Sequence, residues 1–255
     1  MGIVDFILSN WPYFEDFITR NIYHSNAIEG STLSYAETYA IVFNDNSFRV
    51  NASPREFYEA VNLKYALSYL LQHIEEPLSQ DFIKQVGILI NENIHEIDGY
   101  RRGQVFIRGA SHIPPAPGMV PSLMMQLLYD REHTQYASPF EKAARTHIEF
   151  ERIHPFPDGN GRTGRVILNY EMLREDLPPV VIPVEWRTEY FSMLSACDVS
   201  RLSDFFRELS DLERQRIQAF SLHSSNEREH ENCERNEKNA FRNAEEPEED
   251  EELER

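Results

Sequence analysis

One stretch of the chain limits its folding more than any other: His154-Pro155-Phe156-Pro157-Asp158-Gly159-Asn160-Gly161-Arg162-Thr163-Gly164-Arg165. A helical pattern runs into it from Phe140 to Ile153, and another leaves it from about Arg162 to Arg174. Between them two prolines forbid a continuous helix, because proline lacks the N–H and its ring clashes with the preceding turn. Gly159 and Gly161 admit positive φ and leave the backbone N–H groups unshielded. A glycine-rich turn that opens a helix aims those groups, with the positive end of the helix dipole, at one spot. The spot favours an anion, and phosphate is the commonest anion bound this way.

The side chains suggest what the anion is for. His154 can accept a proton near neutral pH. Asp158 is a hard oxygen ligand of the kind that shares Mg²⁺ with substrate phosphates. Arg162 and Arg165 can fork onto phosphate oxygens. A plain interhelical turn needs none of these together. Together they describe transfer of a phosphate-containing group to a nucleophile.

At these residues the sequence resembles the Fic family, whose signature is His-Pro-Phe-x-Asp/Glu-Gly-Asn-Gly-Arg-x-x-Arg; every specified position matches. The resemblance implies an all-α Fic fold, a helical bundle with a small β-hairpin flap. It implies a protein adenylyltransferase that moves AMP from ATP to a Ser, Thr or Tyr hydroxyl of a target protein, with Mg²⁺ as cofactor. On it, His154 is the base and Asp158 holds the metal. Gly159, Asn160 and Gly161 line the anion hole, Arg162 binds phosphate, and Arg165 meets the γ-phosphate. Residues after the signature help to close the adenine site.

Upstream, Ser25-Asn26-Ala27-Ile28-Glu29-Gly30 places Ser25 and Glu29 four apart, on one helical face, with Gly30 as a natural terminator. Read alone, this is an ordinary helix end. Many Fic proteins carry a Ser/Thr-x-x-x-Glu-Gly/Asn helix that blocks their own active site, and in class II it lies N-terminal to the core. The resemblance therefore implies that Glu29 pairs with Arg165 where the γ-phosphate belongs. Removal of AMP with the same residues, Glu29 orienting a water, stays open. Kinase-like members have lost the Gly-Asn-Gly sequence that is intact here. A nucleotide-binding module without chemistry would have no need of His154.

The rest of the chain supplies helices and one break in texture. Residues 4–22 read as an amphipathic helix, with Pro12 marking a restart. Ser34–Glu37, Ser53–Glu56 and Ser138–Glu141 read as capping boxes, and Ser79 caps a helix that runs to about Ile94. Val120 to His133, Trp186 to Ala196 and Leu202 to Phe220 complete the helices. Val105-Phe106-Ile107 is a short β-type run, Gly109-Ala110-Ser111 a hairpin turn, and His112-Ile113 the return before Pro114-Pro115. An exposed hairpin edge can accept an extended segment. In the Fic family this region is the flap that positions the target, which gives Val105, Phe106, Ile107, His112 and Ile113 that role by resemblance. Val180 to Val184 is an apolar connector that its flanking prolines keep from being a central strand.

The expected organisation is an N-terminal helical lobe at 1–78 with the inhibitory motif at 25–30, a catalytic core at 79–222, and a disordered acidic tail at 223–255. The tail is almost devoid of apolar residues and cannot offset its ordering entropy. A net charge of -18 argues against nucleic-acid and anionic-membrane partners. Cys197 and Cys233 provide no disulfide framework, no apolar run could span a bilayer, and no signal peptide is evident, so the chain reads as cytoplasmic. Its expected partners are ATP and a target protein, which could be a second copy of the chain itself; homo-oligomerisation is left open.

Overall fold

A computed structural model describes residues 2–45, 49–107 and 112–244, with side chains described through residue 222. It divides into two compact units, Met1–Arg214 and Gln215–Arg255. The described residues of the first unit form helices α1 (Ile3–Ser9), α2 (Trp11–Glu29), α3 (Tyr35–Phe43), α4 (Pro54–Gln72), α5 (Gln80–Asn91), α6 (Val120–His133), α7 (Pro139–Ile153), α8 (Asn160–Arg174), α9 (Arg187–Ala196) and the start of α10 (Val199–Ala244). In the second unit α10 continues to Ala244, past the end expected at Phe220; the acidic run 245–252 lies outside the described residues.

Local chemistry explains most of the boundaries. The expected restart near Pro12 is a break at Asn10, whose side chain accepts the Tyr13 N–H and opens α2. Gly30 ends α2 at φ 104°, a conformation glycine adopts without strain. The boxes at Ser34 and Ser53 are reciprocal, with Glu37 and Glu56 returning to the cap backbone. The third is half formed. Ser138 Oγ accepts the Glu141 N–H, but the Glu141 carboxylate accepts from Ala137 N instead.

The centre of the first unit is α8, in which every residue from Arg162 to Leu173 is buried. A helix apolar on one face only could not be placed there. The polar side chains of its C-terminal half are paired internally. Glu171 takes Arg131 of α6 at 2.5 Å, and Asn169 bonds both the N–H and the carbonyl of Val180. Asn169 thus fixes the 180–184 connector against α8, which is not a strand, as expected.

The position of α2 matters most for function. Its Ile28 lies in the same apolar cluster as Ala144, Leu168 and Tyr190. Its middle is tied to α10 by Glu213, which accepts from Tyr13 Oη at 2.7 Å and from both terminal nitrogens of Arg20. At its end, Arg187 Nε donates to the Ile28 carbonyl at 2.7 Å. Ile28 and Arg187 therefore hold the last turn of α2, and Glu213 anchors the turns before it.

The expected β-hairpin is not formed: no strand occurs among the described residues. Val105-Phe106-Ile107 and residues 112–115 have no regular secondary structure, and side chains rather than a backbone ladder tie this region. Gln104 Nε2 donates to Pro114 O, Arg101 Nη2 to Pro115 O, and His112 Nε2 to the Arg152 carbonyl. Pro114 and Pro115 have no N–H to offer a ladder, which removes the donors that side of a hairpin would need. The turn expected at Gly109-Ala110-Ser111 lies outside the described residues. No helix among the described residues is long and apolar enough to cross a membrane.

Candidate active site

The loop between α7 and α8 is built by its own polar groups. Asn160 folds back on Phe156, donating to its carbonyl and accepting its N–H, both at 2.8 Å. The Phe156 ring fills the space beside Gly87 of α5, where a Cβ would stand 2.4 Å from the ring. Gly159 sits at φ 75°, and a Cβ there would lie 2.7 Å from Ile90 Cγ2. Asn91 spans from Gly87 O to Asp158 O and closes the same corner. Gly159 precedes α8 and has no side chain with which to cap it, so the first N–H groups of α8 remain for an anion.

His154 ends α7 in a left-handed conformation, φ 52°. Its Nδ1 lies 3.2 Å from the Glu151 carbonyl. A carbonyl only accepts, so Nδ1 carries the proton and Nε2 is left as a free base. Burial lowers the imidazole pKa below its usual 6.5, and Arg101 acts in the same direction. Arg101, beside Arg102 in the run Gly99-Tyr100-Arg101-Arg102-Gly103, carries no signal of its own in the sequence. Its Nε donates to His154 O at 2.8 Å and its own N–H to Pro155 O at 2.8 Å, so it sets the backbone that carries the base. It also lines a pocket of about 550 Å³ with Lys84, Tyr100 and Arg102.

Asp158 Oδ1 accepts the Gly159 N–H at 2.7 Å. Burial would raise this carboxyl's pKa, but Arg162, the Gly159 N–H and Arg55 outweigh it and hold it below 3.8. It is therefore ionised at neutral pH. Arg162 is buried beside it, with neither Nε nor Nη1 hydrogen-bonded.

Arg165 meets the end of α2. Nε donates to Ser25 Oγ at 2.8 Å, and Nη2 donates to Ser25 O at 3.0 Å and to Glu29 Oε1 at 2.7 Å. Burial works against the guanidinium's charge, but Glu29 more than offsets it and raises the pKa. The same Glu29 oxygen would stand 2.3 Å from a Cβ on Gly161. The carboxylate therefore lies over the glycine turn at the start of α8. Arg165 Nη1, buried and without a hydrogen bond, points toward the same turn, 3.1 Å from that Cβ position.

Behind Arg165 lie groups with no sequence signal beyond helical spacing. His147 Nδ1 donates to Gly164 O, and its Nε2 accepts from Tyr190 Oη at 2.6 Å. Burial, then Arg165, lowers its pKa to about 3, so it is neutral. Burial raises the Glu151 pKa to about 8 although Arg165 opposes it. Its Oε1 is buried without a hydrogen bond, against Gly164.

The structure thus brings together His154, Asp158, Gly159, Asn160, Gly161, Arg162, Arg165, Ser25 and Glu29, all expected from sequence. Phe106 and Ile113 are largely exposed, while His112 is turned to the Arg152 carbonyl.

Residues 69–172 match the Fic/DOC family model. The chain is 32% identical over 201 residues to the protein adenylyltransferase Fic of Drosophila virilis, covering 75% of this chain and 40% of that protein. It is 33% identical to the protein of the same name from Drosophila melanogaster, with the same coverage. The chain spans about two fifths of the length of the curated relatives it matches. A Fic domain containing signaling protein from Bacteroides thetaiotaomicron superposes with a TM-score of 0.68 at 27% identity, covering 84% of this chain and 88% of that one. Fic-1 of C. elegans, residues 134–508, gives 0.65 at 29%, covering 82% and 64%. By the match over 69–172, which holds the whole loop just described, that stretch of the chain belongs to the Fic/DOC family.

Proposed function

We propose that the chain is a protein adenylyltransferase that inhibits itself through Glu29. The observation that carries this reading is the position of the Glu29 carboxylate, bonded to Arg165 and lying over Gly161 in the anion turn. Free N–H groups of α8, Arg162 with Nε unbonded and Arg165 Nη1 make a cradle for a polyphosphate. Glu29 fills part of it with the wrong charge. ATP that enters beside Glu29 is left out of line for attack, and a misplacement of about 1 Å can cost about 100-fold in rate.

Asp158 fits Mg²⁺. It is an ionised, half-exposed carboxylate beside the cradle, and one carboxylate with substrate phosphates is a usual Mg²⁺ ligand set. When bound, the metal would offset charge on the phosphate oxygens. His154 Nε2 takes the proton of the target hydroxyl as the hydroxyl oxygen bonds to the α-phosphorus. The bond from that phosphorus to the α–β bridging oxygen breaks, and pyrophosphate leaves. Residues 105–107 with His112 and Ile113, among them Phe106 and Ile113 largely exposed, are in our reading the surface that holds the target chain. Ser, Thr and Tyr acceptors all suit this chemistry.

The test uses ATP labelled at the α- or the γ-phosphate, with wild type, Glu29→Gly and Glu29→Gly/His154→Ala. Label from the α-position, strongest in Glu29→Gly and lost without His154, supports the reading. Label from the γ-position would mean phosphotransfer and overturn it.

A further inference from the structure

Asp158 is engaged by a residue outside the signature loop. Arg55, in the first turn of α4, places Nη2 2.5 Å from Asp158 Oδ2 and Nε 2.9 Å from Glu59 Oε1. Glu59 in turn lies 3.3 Å from Arg162 Nη1, and Arg162 Nη2 lies 3.6 Å from Asp158 Oδ1. The four side chains form a closed ring of alternating charge. Oδ1 is turned to the Gly159 N–H and Arg162, and Oδ2 to Arg55.

We propose that Arg55 is a lock on the metal carboxylate: its ion pair occupies Asp158 Oδ2 in the resting protein and must be displaced before that oxygen can hold a divalent cation. This rests on the reading of Asp158 as metal ligand. A guanidinium and a dication cannot share one carboxylate oxygen at contact distance without strong repulsion. Of the four ring members Arg55 is the most exposed, ahead of Asp158 at 33%. Its side chain is 58% exposed, whereas Arg162 is 2% and Glu59 10% exposed. Glu59 keeps a bond to Arg55 Nε, so the guanidinium can leave Asp158 without losing its second partner. The lock stands on α4, not on α2, and so acts separately from Glu29.

The test measures Mn²⁺ binding, by the electron paramagnetic resonance signal of the free ion, on the full chain saturated with α,β-methylene-ATP. All variants carry Glu29→Gly, so that the cradle is open. Arg55→Ala is expected to tighten Mn²⁺ binding about two- to fivefold, the range of a partly exposed ion pair. Arg55→Lys, a point charge without the fork, falls between. Nucleotide affinity in EDTA stays unchanged. Unchanged or weaker Mn²⁺ binding in Arg55→Ala overturns the lock. Weaker nucleotide binding in EDTA also overturns it, making Arg55 a phosphate ligand. Asp158→Asn separates the two levels. If it keeps full Mn²⁺ affinity, the ligand assignment fails and the lock with it; if it loses Mn²⁺ while Arg55→Ala gains nothing, the lock alone fails.

Discussion

Arg165 and Glu29 stand 136 residues apart in the chain and 2.7 Å apart in the fold, the carboxylate of one lying over the glycine turn that opens the helix of the other. The contact is not an isolated surface pair. Arg165 is buried, its Nε is held by Ser25, and the helix that carries Glu29 is fixed by Glu213 and Arg187. A pair built this way keeps its geometry until something competes for the guanidinium.

Ser25 is expected to contribute to that hold. Ser25→Ala removes the acceptor of Arg165 Nε but leaves the Ser25 carbonyl and Glu29 in place. A hydrogen bond to a charged group is worth about 1.5 kcal/mol at the low end, roughly tenfold in the closed-to-open balance. AMP incorporation should rise about tenfold, less than for loss of Glu29. A rate equal to wild type would show that Oγ does not hold the closed state.

Gly87 supports the loop from behind. Gly87→Ala would put a methyl 2.4 Å from the Phe156 ring, which is fully buried and cannot simply turn away. Overpacking of this kind costs about 1–3 kcal/mol. A lower Tm together with weaker transfer is expected, because Phe156 adjoins the Asn160 bonds that shape the loop. Thermal unfolding that matches wild type would contradict the packing seen here.

Glu151 gives a pH signature with a definite sign. Its folded pKa is about 8 against an ordinary 4.5. Between those values the native protein keeps a proton that the unfolded chain has released. Its contribution to stability is present below pH 4.5 and is lost as pH rises through 8. Glu151→Gln has no proton to lose, so its Tm should gain on wild type between pH 5 and pH 8. A constant difference across that range would mean that Glu151 is ionised in the fold.

His154 sets the pH dependence of the reaction. Its pKa is below 6.5, so the base form persists through neutral pH. In Glu29→Gly, transfer should be level above pH 7 and fall only on acidification below the ordinary histidine range. A fall that begins at or above pH 7 would require a raised pKa instead.

The helices and the site loop were legible in the sequence because each is written in local chemistry. Serine caps, prolines at first turns and the two spaced glycines act over a few residues. The signature loop was readable for the same reason, and Ser25 with Glu29 through one helical spacing and a family resemblance. Arg55, Arg101, His147 and Glu151 left no such trace. Each acts on a group from a distant part of the chain, and its own neighbourhood looks like ordinary helix or loop. The β-type run at Val105 to Ile107 misled because propensity alone does not form a strand. Its return arm ends in two prolines, and Arg101 and Gln104 take the carbonyls a ladder would have used.

The central claim is that Glu29 in the anion cradle holds back transfer. The measurement that meets it most directly is the rate of AMP incorporation from ATP by wild type and by Glu29→Gly, with Glu29→Gly/His154→Ala as the blank. Removal of the carboxylate is predicted to raise the rate about 100-fold and to leave no product when His154 is also absent. Equal rates for wild type and Glu29→Gly would contradict the account, since the pair at 2.7 Å would then be a structural contact without control over the reaction.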